Sequence, residues 1–392
     1  MKLIHTADWH LGQMFFDHDR KTEHLVFLNW LKKQVWEQGV DVLLIAGDVF
    51  DSPNPSAEAQ KMYYRFLRDI TMENPDLQII IIAGNHDSAA RLEAPNPLLE
   101  TVNVAVRGIV KHITGREIDC EHLIIPLNKG GYCLAVPYLR QGDYPESATY
   151  AGGVQEMYKM LIDKVEGKPI IAMGHLQATG SEISQNDRAE RTIIGGLECI
   201  SLEAFDDGID YCALGHLHRA QRVSERENVR YAGAPLQMSF AEKNNKQGVN
   251  LITITDKTEI ERLDFDTPVK LISIPNEPLP MAEVIAEIEK LPDGEVNYRS
   301  PFLEIKVRIT EPEPSLRYQI EQALKGKAVR LARIEASTPQ SENTGRIVSY
   351  EMLQEINPLD MATDIFKRKY GGEDMSRAMK ELLQSVIREV EL

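Results

Sequence analysis

The chain has 392 residues, a net charge of −16 and four cysteines, and it lacks both an apolar stretch of membrane length and a signal peptide. The length is too great for one small core and fits two or three domains. Cys120, Cys133, Cys199 and Cys212 form no CxxC pair, which excludes all-thiolate metal sites and fits reduced thiols of a cytoplasmic protein with no membrane partner, and the acid excess argues against tight unassisted binding to nucleic acid.

In chain order, residues 2–7 form an apolar run that stops at Asp8-Trp9-His10, and residues 22–38 read as a helix. A second run, 41–47, stops at Asp48, and residues 55–70 place Met62, Tyr63, Phe66, Leu67 and Ile70 on one helical face. Run 78–84 leads to Asn85-His86-Asp87, followed by a short helical span at 94–102 and a strand-like stretch at 127–137. Runs 169–174 and 210–215 then end at His175 and at His216-Leu217-His218. Continuous Val/Ile/Leu runs are the mark of strands covered on both faces, and a glycine or small residue at each end lets the backbone turn. The expected fold class is α/β, with helices outside and residues 127–137 completing a second sheet.

The five strand ends carry five of the ten histidines together with aspartates and an asparagine. Residues at strand ends converge in space, and this set offers mixed nitrogen and oxygen donors suited to divalent Mn, Fe or Zn. Cleavage of a phosphodiester needs negative charge neutralised and a water activated near neutral pH, and two metals about 3.5–4 Å apart supply both. One such motif alone is weak, because a histidine after a strand is usually structural; the joint pattern is specific. His5, His18, His24, His112 and His122 lack that context and default to structural roles.

Pro268, Pro275, Pro278 and Pro280 mark a boundary by their density. A small α+β module is expected beyond it, with helices at 281–291 and 315–324 and strands at 302–309 and 328–336. Lys325, Lys327, Arg330 and Arg333 form a short basic cluster there that would line nucleic acid, with an ordinary solvated face as the alternative. Residues 337–345 read as linker, 357–370 as a helix, and Met375, Met379, Leu382, Leu383, Val386, Ile387 and Val390 as one face of a terminal helix. Three units result: 1–267, 268–340 and 341–392.

Asp8-x-His10, Gly47-Asp48-Val49-Phe50-Asp51, Gly84-Asn85-His86-Asp87, Gly174-His175 and Gly215-His216-Leu217-His218 resemble the calcineurin-type metallophosphoesterase signature. The opening His5-Thr6-Ala7-Asp8-Trp9-His10-Leu11-Gly12 and the segment 211–218 narrow the resemblance to the SbcD-type nuclease subunits of bacterial SbcCD repair complexes. That resemblance implies a four-layer sandwich of two mixed sheets flanked by helices, carrying a capping domain and C-terminal helices.

It implies two divalent metal ions, Mn2+ in this family: one held by Asp8, His10, Asp48 and His218, the other by Asp48, Asn85, His175 and His216, with Asp48 as the bridge. His86 would stand beside the scissile phosphate and assist the leaving oxygen, oriented by Asp51 or, second, by Asp87. The implied activity is cleavage of DNA, 3′ to 5′ at duplex ends and endonucleolytic in single strands or hairpins. The C-terminal helices would bind an SbcC-like coiled-coil ATPase, and the region of helices 55–70 and 94–102, which could equally cover the sandwich, would form a homodimer. No Walker-type phosphate loop occurs, so any ATP dependence comes from a partner. The sequence departs from the family at Gly233-Ala234-Pro235, where Gly-Ser-Pro is common. A phosphatase or phosphodiesterase for small molecules or proteins shares the same ligands, and a non-catalytic DNA-end scaffold is the third possibility.

Overall fold

The computed structural model describes residues 1–178, 181, 200–309, 313–337 and 379. The expected linker and C-terminal helices therefore lie outside the described residues, as does Cys199. Cys120, Cys133 and Cys212 are buried free thiols.

Two six-stranded sheets form the centre. In the first, the spatial order is Thr258–Asp264, Gly248–Ile254, Lys2–Thr6, Val42–Ala46, Gln78–Ile82, Val104–Arg107. The last four strands are parallel and the first two pair antiparallel. In the second, the order is Gln221–Val223, Arg226–Tyr231, Tyr211–Gly215, Ile170–His175, Tyr132–Ala135, Ile124–Pro126, with a parallel centre and antiparallel edges. The inner faces meet through Leu3, Val42, Leu44, Ile80 and Ile82 against Cys133, Ile171, Met173, Tyr211 and Ala213.

The outer faces are covered by helices Lys21–Gln38 and Ala57–Glu73 on the first sheet and Tyr150–Ile162 on the second. Both sheets are thus buried on two faces, which explains why the central strands read as unbroken apolar runs. Met62, Tyr63, Phe66, Leu67 and Ile70, the apolar face expected to serve either dimerisation or the sandwich, are all consumed in covering the first sheet. The apolar side chains left exposed in that region are Met72, Leu98 and Val102.

The following module differs from the expectation in one element. Residues Leu271–Leu279 form a strand that runs through Pro275 and Pro278. It pairs in parallel with Phe302–Arg308, which pairs in parallel with Arg330–Ser337. The proline-bearing strand lies at the edge of this three-stranded sheet, and its register breaks between Ile274 and Leu279, so the missing N–H groups cost no central ladder bond. Helices Met281–Glu289 and Leu316–Ala323 pack on the sheet through Val284, Ile288 and Ile320.

The module docks on the sandwich through an aromatic knot. Phe15, on the short hairpin Met14–Phe15/His18–Asp19, stacks with Phe240 and Phe302 at centroid distances of 5.3 and 4.9 Å, closed by Val269 and Leu271. The buried Arg20 guanidinium lies over both Phe15 and Phe302 and pairs with Glu23. Of the basic cluster expected to line nucleic acid, three members are committed inside the module. Lys327 pairs with Asp293, Arg333 with Glu304 and Glu335, and Arg330 lies 3.9 Å from the Phe302 ring centroid. Lys325 is exposed.

Candidate metal centre

All five ligand-bearing strand ends open on the same end of the sandwich. Loop pairing holds them together: the Asp8 N–H donates to the Gly47 carbonyl, His10 N–H to Asp48 O and Leu11 N–H to Val49 O, each at 2.9–3.0 Å. Close approach is possible because the small residues are there. A Cβ at Gly47 would strike the His175 ring, one at Gly84 the Asp48 carboxylate, and one at Gly215 the Ala46 carbonyl. Among the described residues seven non-glycine residues have a positive φ, and four of them are Asp8, His10, Asp48 and His216. Left-handed backbone costs such residues about 1–3 kcal/mol each, so its concentration at this one place points to a functional demand.

The side chains converge as follows. Asp48 Oδ2 lies 3.3 Å from His175 Nε2 and 3.7 Å from His10 Nε2. Asn85 Oδ1 lies 3.0 Å from both His175 Nε2 and His216 Nδ1. Ligand atoms of Asp8, His10 and His218 fall within 4.8 Å of one another, as do those of Asp8, Asp48 and His175, and those of His10, Asp48 and His86. All seven expected ligands and His86 are thereby brought together.

Two buried atoms, Asp8 Oδ2 and His10 Nε2, have no hydrogen-bond partner. Unpaired polar atoms this deep are costly, and divalent cations among these oxygens and imidazoles would satisfy them. The donor set thus fits a pair of divalent metals.

Second contacts fix the rings. His175 Nδ1 donates to the Ala46 carbonyl at 2.9 Å, which leaves Nε2 as the ligating atom. His218 Nδ1 lies 3.3 Å from Oε1 of Glu242, a buried carboxylate whose Oε2 accepts from the Met238 N–H. Glu242 was not expected, since no strand-end pattern marks it; it belongs to the turn Phe240–Glu242, whose Phe240 is part of the aromatic knot. The His216 N–H donates to Asp8 Oδ1 and the His86 N–H to Asp48 Oδ1, which aims both carboxylates.

The partner of His86 differs from the simplest form of the expectation. His86 Nδ1 lies 3.0 Å from the backbone carbonyl of Asp51, while the Asp51 carboxylate sits 3.3 Å from His10 Nδ1. Asp87, the second candidate, does not touch His86 through its side chain: it accepts from the N–H groups of Val49, Phe50 and Gly84 and clasps two ligand loops together.

Burial dominates the titration of this cluster. It raises Asp8 to about 7 and lowers His10 and His216, the latter to about 3. At His175 burial pulls downward, but the adjacent Asp48 carboxylate prevails and raises the ring to about 9. Asp48, though burial opposes its charge, is held well below the usual carboxylate range by His175.

Three of the other histidines take structural parts. His5 Nδ1 bonds the Tyr211 hydroxyl in the core, and His24 Nε2 meets the Trp9 carbonyl. His18 Nε2 reaches the Leu331 carbonyl of the appended module.

A four-layer sandwich with a strand-end cluster of this composition defines a metal-dependent phosphoesterase, and sequence comparison agrees. The calcineurin-like phosphoesterase profile matches residues 1–220, and the profile described as Type 5 capsule protein repressor C-terminal domain matches residues 267–370. The chain belongs to the calcineurin-like phosphoesterases and, within them, to the SbcD family. A Rhodobacter capsulatus protein named as a subunit of the nuclease SbcCD is 33% identical over 362 residues, covering 87% of this chain and 88% of that protein. The Escherichia coli K12 protein of the same name is 29% identical over 406 residues, covering 98% and 96%. That of Bacillus subtilis is 29% identical over 271 residues, covering 64% and 66%. Among the described residues no helix is long and apolar enough to cross a membrane.

Proposed function

We propose that this chain is the DNA-cleaving subunit of a cytoplasmic SbcCD-like repair complex, with Asp8, His10, Asp48 and His218 holding one divalent ion and Asp48, Asn85, His175 and His216 the other. The observation that carries this reading is the convergence of the seven donors around Asp48, with His86 in the same cluster and buried donor atoms unsatisfied. The names and coverage of the relatives support DNA as the substrate. When bound, two divalent ions, Mn2+ in this reading, neutralise phosphate oxygens and activate the attacking water.

The chain's own residues do the rest. Asp48 presents its carboxylate to His10 and His175, and Asn85 its amide oxygen to His175 and His216, while the His86 N–H holds the Asp48 carboxylate in place. A carbonyl can only accept, so His86 donates Nδ1–H to Asp51 O, and Nε2 is the atom left to carry or release a proton. A protonated Nε2 beside the scissile phosphate stabilises the transition state and protonates the departing sugar oxygen.

In this reading the chain acts as a 3′ to 5′ exonuclease on duplex ends and as an endonuclease on single strands and hairpins. Residues 1–267 form the nuclease domain, 268–340 a capping domain that orients DNA, and 341–392 the linker and helices that bind an SbcC-like ATPase. Two chains associate so that two sites face one DNA.

The test is incubation with Mn2+ and end-labelled linear and hairpin DNA, beside His86→Gln and Asp48→Ala. Cleavage of both DNAs is expected, lost in Asp48→Ala and lowered about 10²–10⁴-fold in His86→Gln. Hydrolysis of a small phosphomonoester with DNA left intact would replace this reading by a phosphatase.

A further inference from the structure

Four basic side chains, Arg219, Arg230, Lys246 and Arg262, line a cavity of about 420 Å³ in which Asp264 is the only acid. In a chain of net charge −16 this is an unusual place. It lies between the antiparallel edges of the two sheets: Arg230 comes from Arg226–Tyr231, and Arg262 and Asp264 from Thr258–Asp264. Arg219 follows the ligand His218 directly, and the His218 carbonyl accepts from the Ala234 N–H at 3.0 Å, so one loop serves both the cavity and the metal cluster.

Arg262 is the informative member. Its Nη1 donates to the Ala232 carbonyl and to Asn250 Oδ1, yet Nη2 is buried with no acceptor. Burial lowers its pKa to about 10, against the pull of Asp264 and Tyr211. That nitrogen is out of reach of solvent, so Arg262 gives the cavity its buried positive charge rather than a direct contact, and an anion held by the other basic side chains would be attracted by it. The partners already present are modest: Arg230 pairs with Glu227 on the surface, and Lys246 stands 3.9 Å from Asp264.

We infer that this cavity is a second, metal-independent site that binds the phosphate of a nucleotide, either free or at the end of a nucleic-acid strand. The volume is within the range of about 300–1,000 Å³ in which small ligands are held, and larger than a bare phosphate requires. The choice of a nucleotide among phosphate compounds rests on the nucleic-acid reading above; the anion chemistry does not. Placed beside the His218 loop, such a site holds a strand at a fixed distance from the point of cleavage.

The test uses the full chain stripped of metal in EDTA, so that nothing is hydrolysed and failure of the nuclease reading cannot mimic failure of this one. Fluorescence anisotropy would follow a labelled single strand with a 5′ or 3′ phosphate, competed by a mononucleotide, inorganic phosphate or the unphosphorylated strand. The wild type is expected to prefer phosphorylated ligands. In Arg230→Gln/Lys246→Gln affinity should fall at least about tenfold and the salt slope by about 0.7–1.4, since each phosphate contact on a single strand contributes about 0.7 unit. Both substitutions lie on surface ion pairs, and thermal melting checks that the variant is folded. Competition by the mononucleotide at similar concentration identifies a free-nucleotide site, and competition by phosphorylated strands alone identifies a strand-end site. Equal affinity and salt slope in variant and wild type, or no preference for the phosphate, would overturn the inference.

Discussion

His86 and Asp51 meet through a backbone carbonyl, and this changes what substitution at position 51 does. Asp51→Asn keeps the carbonyl and alters only the group beside His10. The expected result is metal affinity lower by about 10–100-fold, as for other residues that steady a ligand, with turnover at saturating metal within a few-fold of wild type. A fall in turnover matching that of His86→Gln would show the carboxylate to be the orienting group after all. Glu242→Gln tests the analogous contact on His218: an amide that presents its N–H₂ cannot accept from Nδ1–H, and metal titration should again weaken about 10–100-fold. Unchanged affinity would mean that Glu242 only anchors the Met238 turn. Protons enter as well. His175, raised to about 9 by Asp48 over the opposing effect of burial, and Asp8, raised to about 7 by burial, must both lose protons before they ligate. Metal affinity should therefore climb with pH through 7, continue to climb toward 9 and then level, with proton release at pH 6.5. Calorimetry in two buffers of different ionisation enthalpy measures that release directly; a pH-independent affinity would contradict the assignment. The strand-end histidines and aspartates were legible in the sequence because each follows an apolar run and a small residue. Glu242 and the carbonyls of Ala46 and Asp51 were not, since a main-chain acceptor leaves no trace in residue identity and Glu242 sits on an irregular turn.

At the level of elements, the central strands were readable because burial on both faces removes alternation and leaves runs such as Gln78–Ile82. Strand Leu271–Leu279 escaped for the opposite reason. Its two prolines signal a break, and only the three-dimensional position at a sheet edge makes them tolerable. The same limit applies to the helix Ala57–Glu73, whose apolar face could serve a partner or its own sheet until the packing is known. The aromatic knot is the joint between the module and the sandwich, and Phe302 is its fully buried centre. Phe302→Ala should cost about 3–5 kcal/mol, read as an early unfolding transition of the module in a thermal or denaturant melt. Since Phe240 shares both the knot and the turn of Glu242, the same variant should weaken metal binding. A destabilised protein that binds metal normally would separate the module from the metal centre.

For the whole molecule, the net charge of −16 gave no sign of where phosphate would be met. The carboxylates of the metal centre, Asp8 and Asp48, would face divalent cations, which would reverse the local field there. The basic residues marked in the appended module are mostly paired there, whereas those brought together between the sheet edges come from positions 219 to 262, scattered along the chain. Charge summed over a sequence reports solubility and long-range repulsion, and folding decides which charges meet a ligand. Two metals sharing Asp48 would be the centre of the proposed chemistry. The most direct test is a crystal of the full chain soaked in Mn2+, with anomalous scattering recorded at the Mn edge. Two peaks about 3.5–4 Å apart are predicted, one on each side of the Asp48 carboxylate and each within ligand distance of its own histidines, and both weakened in Asp48→Ala. A single peak, or two that do not share Asp48, would contradict it.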